Sequence, residues 1–503
     1  MKRVLYSAFA ACLLLLSSCE KEYLETNPTD QVAESEVFTT TSNGWAAING
    51  MHRAMFFQYD AQDQAGQGSV MINMDMLGED VVNTTTGNGW WISTYRWLTH
   101  RNENAGTVTF VYRFYYKLIA NANKIIDNID KTTGPEADKQ AIKGQALAYR
   151  AWAHHQLVQI FAERYKAGET NSQLGVPVML TNTIEGQPRE TVEDVYAQIN
   201  SDFDAAISLL PATRSAKSHI NVNVAKGMKA RVALTMGKWA EAAQLANEAR
   251  AGATLENFTQ MLSGFNDIST PGWIWGSDQI QDQTTYFYSF FAYMSVNFSS
   301  TNIRGNPKAI NSKLYANISD TDVRKQLWDT TPVAIKDAAG KTVGYDINGV
   351  QILPTFTPKA YMNRKFISAG GSGSSIGDVP YMRAAEMYLI EAEALARQGK
   401  DDLAAKALYD LVVTRDPDYV ISTSTGQTLI DEILIQRRIE LWGEGFRFLD
   451  LKRTNSALDR TGANHVATVV ADLYTVPAGD KQWQWLLPKR ELDTNPAAVQ
   501  NPL

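Results

Sequence analysis

Two short stretches far apart in the chain repeat one spacing, and no other feature restricts the fold as much. In Val224 to Ala249, Gly237 has Ala230 seven residues before it and Ala242 five after; in Tyr381 to Leu411, Gly399 has Ala392 and Ala404 at the same offsets. Around each glycine the apolar positions recur at helical period, with Leu234, Trp239 and Ala246 in the first stretch and Leu395 and Leu408 in the second. A glycine so placed ends one helix and starts the return of the chain, and small alanines let the two antiparallel helices approach closely. Such hairpins cannot bury an apolar face alone, so they stack. The chain therefore reads as mainly α, an α-α superhelix.

Further helices follow from the same period. Trp45, Ile48, Met51, His52 and Met55 lay one apolar face behind a cap at Ser42, and Phe110 to Ile129, Glu136 to Phe161 and Val192 to Leu209 continue the pattern. Residues 38–503 read as one domain, with the helical scaffold mainly in 38–250 and 380–455 and a closing segment in 456–503. Between the two hairpins, 255–377 has another texture: tryptophans, a run of Tyr and Phe to Phe298, then Asn, Ser, Gly and Pro with short strand-like pieces. Long irregular segments inside a folded domain commonly carry function, so this insert is read as the ligand-binding region.

The N-terminus sets the compartment. Lys2 and Arg3 precede an apolar stretch, Val4 to Leu16, that is shorter than the ~20 residues a spanning helix needs and suits a secretory signal over 1–18. Leu16-Ser17-Ser18-Cys19 resembles a bacterial lipobox, which makes Cys19 the expected first mature residue and the site of lipidation. The other cysteine, Cys12, lies within the removed segment, so no disulfide is expected in the mature domain. Residues 19–37 are polar, include Pro28 and read as a tether. Glu20, Lys21 and Glu22 resemble a surface-export signal, and the expected location is the outer membrane, lipid-anchored and facing the exterior.

Much chemistry is excluded. Lys and Arg number 47 against 54 Asp and Glu, a formal charge of -7 without a basic block, so nucleic acid is not an expected partner. The six histidines form no metal-ligand spacing, and no cofactor is expected; a structural calcium held by scattered Asp and carbonyl oxygens would leave no spacing to read. Gly373 to Gly377 matches G-x-S-x-G, but no apolar strand leads into it, and a flexible loop is the preferred reading. Arg437, Glu440 and Glu444 share a helix face suited to mutual ion pairs, which favours architecture over an acid and base pair for the two glutamates. No catalytic residue is expected.

The 12 Trp and 21 Tyr point instead to binding. A sugar offers a flat C–H face and a rim of hydroxyls, so its site needs aromatic platforms beside amides, carboxylates or guanidinium groups. Two segments hold that mixture: Asp80, Asn83, Trp90, Trp91, Arg96 and Trp97 in the first, Trp273, Trp275, Tyr286, Asn302 and Arg304 in the second. Trp45, Trp152, Trp239 and Trp442 fall on helical periods and read as packing residues.

The C-terminal quarter carries a family resemblance. Arg437-Arg438-Ile439-Glu440-Leu441 runs into Glu444-Gly445-Phe446-Arg447 and then Asp450-Leu451-Lys452-Arg453, which resembles the signature of SusD/RagB outer-membrane lipoproteins. Leu487-Pro488, Asn495-Pro496 and Asn501-Pro502 resemble the family's ending, although Leu503 stands where Gly is usual. Tyr23-Leu24-Glu25, Gln145 to Ala151 and Gly175-Val176-Pro177 resemble its earlier parts. The resemblance implies about four tetratricopeptide-like units bearing an elaborated binding region, seated over a SusC-like TonB-dependent transporter. It also implies non-catalytic capture of an oligosaccharide for polysaccharide utilisation; the alternatives are capture of peptide or another nutrient in the same arrangement and, further off, a surface glycosidase. Cys19→Ala is expected to move the protein from the membrane fraction to the soluble one, as read by cell fractionation and immunoblotting.

Overall fold

The computed structural model describes residues 38–283 and 287–503; Cys19, the tether and Tyr286 lie outside the described residues. Helices of seven residues or more are labelled here. The first is α1, Thr41–Ala54, capped by the Thr40 hydroxyl rather than by Ser42, then α2, Gly66–Met76. A superhelix follows: α3 Gly106–Asn128, α4 Glu136–Phe161, α5 Val192–Leu209, α6 Val222–Met236 and α7 Trp239–Ala249. After the insert it resumes with α8 Ala384–Ala396, α9 Asp401–Val412, α10 Gly426–Glu440 and α11 Arg447–Arg453. Local chemistry sets these boundaries. Thr191 and Asn221 accept hydrogen bonds from the first-turn N–H groups of α5 and α6, and Glu136 and Asp138 sit in the first turn of α4, where the helix dipole favours negative charge.

From α3 to α7 each helix packs on the next, and α7 packs directly on α8 across the long insert, so the two glycine hairpins are neighbours in one stack. Gly237 and Gly399 both turn the chain at φ 71°, a conformation open to glycine at little cost. Ala242, Ala246 and Ala249 of α7 and Ala385, Ala392 and Ala396 of α8 are buried, which lets these helices approach closely. The fold is the expected helical superhelix with short strands.

The strands position the insert. β2 (Trp273–Gly276) at its beginning pairs antiparallel with β9 (Pro380–Arg383) at its end, so the insert leaves and re-enters the scaffold at one place. β1 (Val81–Asn83), which follows α2, pairs with β3 (Lys308–Ile310) in a sheet completed by β8 (Met362–Asn363) and β4 (Trp328–Asp329). That sheet joins the loop after β1 to the insert. A meander of β5 (Val333–Lys336), β6 (Thr342–Ile347) and β7 (Val350–Ile352) stands outside it, and β10 (Leu458–Asp459) pairs with β11 (Thr475–Val476).

A buried ionic cluster locks scaffold to insert. Glu440, at the end of α10, accepts from Arg383 Nη1 (2.9 Å) and Arg415 Nη2 (3.1 Å) on one oxygen and from Arg415 Nε and Arg324 Nη1 (both 3.2 Å) on the other. Glu444 accepts from Arg383 Nη2 (2.7 Å) and Lys365 Nζ (2.6 Å), and Glu256 from Arg415 Nη2 (2.9 Å). Burial alone would raise the Glu440 carboxyl, but Arg415, Arg383 and Arg324 hold it well below the ordinary range. The expected pairing of Arg437 with these glutamates does not form. Arg437 turns to Asp450 (2.7 Å), because Arg383 and Lys365 from other elements already fill the glutamate oxygens. Glu440→Gln would leave three buried guanidinium groups short of negative charge. The expected loss is about 3–5 kcal/mol of unfolding free energy, read as a lower urea midpoint.

Candidate functional site

The loop after β1 is held by hydrogen bonds to the insert as well as by its own turns, in which Gly87 N–H donates to Thr85 Oγ1 (3.0 Å) and Gly89 N–H to the Thr86 carbonyl (2.9 Å). Thr84 Oγ1 donates to the Pro307 carbonyl (2.9 Å), Thr85 N–H to Asn306 Oδ1 (3.1 Å), Thr85 Oγ1 to the Gly305 carbonyl (2.8 Å) and Asn88 Nδ2 to Thr301 Oγ1 (3.2 Å). The loop then reaches two tryptophans that part company. Trp91 has φ 68°, a left-handed conformation that costs a bulky residue about 1–2 kcal/mol. Its ring is buried, edge-on to Tyr293 at 5.3 Å, whereas Trp90 meets the same tyrosine at 6.3 Å and stays half-exposed. The Tyr293 hydroxyl donates to the Gln62 carbonyl (3.0 Å), which fixes the ring under both indoles.

Polar groups border this face. Ser300 caps the short helix Thr301–Gly305, which carries Thr301 on the surface, Asn302 buried beneath it and Arg304 half-exposed. Among the described residues the Arg304 guanidinium has no hydrogen-bond partner, and neither do the buried Asn302 Oδ1 and Trp91 Nε1. Phe287, 39% exposed, lies edge-on to Phe298 at 6.3 Å. The Gly/Ser loop docks on the same segment through Asn297, which donates to the Ser368 carbonyl (3.1 Å) and accepts from Ser368 N–H (2.8 Å), and through Ser299 N–H to the Ser372 carbonyl (3.0 Å). Ser375, at the centre of G-x-S-x-G, is wholly buried in loop and heads no helix, so the nucleophile geometry is absent. The result is a surface region holding one partly buried indole, with an amide, a hydroxyl and a guanidinium group on the segments around it, and no metal-ligating cluster among the described residues.

Comparison with known proteins gives the family. Residues 54–234 match a family model described as starch-binding associating with outer membrane, and residues 333–503 match the model of the SusD family. The chain belongs to the SusD/RagB family. It is similar to the SusD-like protein P2 of Formosa agariphila, 26% identical over 91% of this chain and 92% of that relative. Among solved structures it resembles a SusD-like carbohydrate binding protein from Bacteroides vulgatus, with 25% identity, a TM-score of 0.78, and 92% of this chain and 98% of that one covered. A laminarin binding SusD-like protein shares the fold at 20% identity and a TM-score of 0.65, over 92% of this chain and all 100% of the other.

In this SusD-family chain the Asn88–Thr301 bond ties the loop of Trp90 and Trp91 to the helix of Asn302 and Arg304, and the other expected residues that the structure describes serve elsewhere. Asp80 serves the scaffold: its carboxylate accepts from Arg438 Nη2 (2.6 Å) and Nε (3.0 Å). Asn83 is buried, accepting from Asn306 Nδ2 (3.0 Å). Arg96 donates to the carbonyls of Val469 (2.9 Å) and Thr468 (2.8 Å) and so pins the C-terminal segment. Trp97 is buried against Trp483 and donates to the Leu77 carbonyl (3.1 Å). Trp273 and Trp275 are core residues with 2% and 1% exposure; Trp275 lies edge-on to Trp152 at 5.6 Å and donates to the Ser218 carbonyl (3.1 Å), leaving no free face for a sugar. Tyr293 and Thr301 were not among the expected site residues, because their contacts with Trp90 and Asn88 are long-range and leave no local spacing. Trp273→Ala should cost about 3–5 kcal/mol of stability and Trp90→Ala under about 1 kcal/mol, a difference that urea unfolding of the two variants measures directly.

Proposed function

We propose that this SusD-family protein captures a glycan on the Trp90 face and delivers it to a TonB-dependent transporter while held at the outer membrane by lipid on Cys19. The observation that carries the reading is the partly exposed Trp90 ring, set edge-on to Tyr293 in a loop whose Asn88 bonds Thr301 of the short helix that also bears Arg304. An indole held in place loses little entropy when a pyranose stacks on it, and the border supplies donors and acceptors for the sugar hydroxyls. The names of relatives with this fold, one a carbohydrate binding protein and one laminarin binding, support a glycan. Capture without turnover is supported by Glu440 and Glu444, whose carboxylates are buried and saturated by arginine and lysine.

Among the described residues no helix is long and apolar enough to cross a membrane. Attachment through Cys19 and partnership with a SusC-like transporter are supported by the family's arrangement. Isothermal calorimetry of the purified protein against laminarin, other neutral polysaccharides and peptides tests the capture step. The expected result is saturable heat with one neutral glycan and binding at least about tenfold weaker in Trp90→Ala. Heat with peptides alone, or glycan binding untouched by Trp90→Ala, would overturn the assignment.

A further inference from the structure

The turn that follows α1 stands against α3 and leaves an open cavity of about 530 Å³ between residues 57–60 and two side chains of that helix, Arg113 and Lys117. The turn is held by its own bonds: Tyr59 N–H donates to the Gln64 carbonyl (2.8 Å), Gln64 N–H to the Ala61 carbonyl (3.1 Å) and Asp60 N–H to Gln64 Oε1 (3.1 Å). Phe57 is 48% exposed and lies edge-on to Tyr59 at 6.0 Å, so the cavity wall includes an aromatic ring left in water. Such a ring is a surface that the C–H face of a ligand can cover.

The charges around it are unbalanced. α3 carries no carboxylate before Asp127, so Arg113 and Lys117, one turn apart, act on each other as like charges. Both lie over the Tyr59 ring, 5.9 and 5.4 Å from its centre, which offsets part of the repulsion. Arg113 also pairs with Asp60, but the two side chains are 39% and 71% exposed, and a pair so open to water neutralises little. Lys117 is exposed and forms no ion pair among the described residues. Arg53 adds a third positive charge to the lining, although its Nη1 is buried, as is the Tyr59 hydroxyl, and Gln58 adds an amide. Asp63, the other carboxylate of the turn, accepts from Thr107 Oγ1 (3.3 Å) and does not line the cavity. Three cations thus meet one carboxylate in a chain whose net charge is -7.

We propose that this cavity binds an acidic sugar, its anionic group on Lys117 Nζ and the Arg113 guanidinium and its C–H face on Phe57. An anion set between the two cations relieves their repulsion and accepts charge-assisted hydrogen bonds, and exposed Asp60 can leave Arg113 for water at little loss. The volume lies within the range of small-ligand pockets. A uronic acid and a sulfate ester offer the same chemistry, an anionic oxygen group beside a flat C–H face. The turn also meets Tyr293, whose hydroxyl donates to the Gln62 carbonyl (3.0 Å), yet the lining of this cavity holds neither Tyr293 nor Trp90, so each site can fail without the other.

Calorimetric titration of the full protein with oligogalacturonate, a sulfated galactan oligosaccharide and neutral laminarin tests the proposal, with oligoglutamate as a polyanion that has no sugar ring. At least one acidic saccharide should bind saturably, and more weakly as salt is raised, because exposed charges are screened. Tighter binding of oligogalacturonate assigns the carboxylate, and tighter binding of the galactan assigns the sulfate. Lys117→Glu, at an exposed position, should weaken that binding at least about tenfold and leave laminarin binding as it was. Phe57→Ala should weaken the acidic saccharide and leave oligoglutamate unaffected. Absence of saturable binding by either acidic saccharide, binding unchanged in Lys117→Glu or in Phe57→Ala, or oligoglutamate bound as tightly as the saccharides would overturn the proposal.

Discussion

The ionic cluster around Glu440 is the constraint on which the rest of the arrangement depends. Its cations come from the insert (Arg324 and Lys365), from the strand that leads back out of it (Arg383) and from the turn after α9 (Arg415), while its carboxylates come from Glu256, Asp322, Glu440 and Glu444. Replaced as a whole by apolar groups of the same shape, such a cluster would change stability little, because desolvation cancels most of the attraction. Broken at one member it is costly. It therefore penalises any docking of insert on scaffold that leaves one of its members unpaired. The neighbouring pairs extend the same logic: Asp450, pushed up by burial, is brought down to about 2 by Arg437 and Arg453, and Arg438 grips Asp80 just before β1.

Much of the scaffold was legible in the sequence, because helical period and turn glycines are local signals. The expected helices Glu136 to Phe161 and Val192 to Leu209 have those bounds in the structure, and both glycine hairpins turn where the alanine offsets place them. Family membership was legible for the same reason, carried by a continuous run around Arg437 to Arg453. The site was legible only in part. Trp273 and Trp275 lie in a polar, glycine-punctuated neighbourhood, and nothing local tells that β9 pairs with them and closes them over Trp152. Asp80 looked like a ligand group for want of any sign that Arg438, far along the chain, would claim it. Composition identifies residues fit for binding; long-range pairing decides which of them keep an open face.

Trp90 and Trp91 show how that decision is made over a single peptide bond. The left-handed backbone at Trp91 turns one indole into the interior and leaves its neighbour outside, on a loop whose shape is set by Thr84, Thr85 and Asn88 holding the insert. Strain at one residue thus accompanies the outward setting of the other, on a loop that Asn88 already ties to Thr301 before anything lands on it.

The clamp of β2 on β9, with α7 packed on α8, has a consequence for how such proteins diversify. Because the insert leaves and returns at one point, the superhelix meets it as a closed loop, and the entropy of closing a flexible loop grows only with the logarithm of its length, by about 0.6 kcal/mol for each doubling. Residues can be added to or removed from the outer turns of this region, as in the meander of β5 to β7, at small thermodynamic expense, so long as the positions of Arg324 and Lys365 are kept. The superhelix can stay unchanged while the surface it displays is rebuilt for a different cargo.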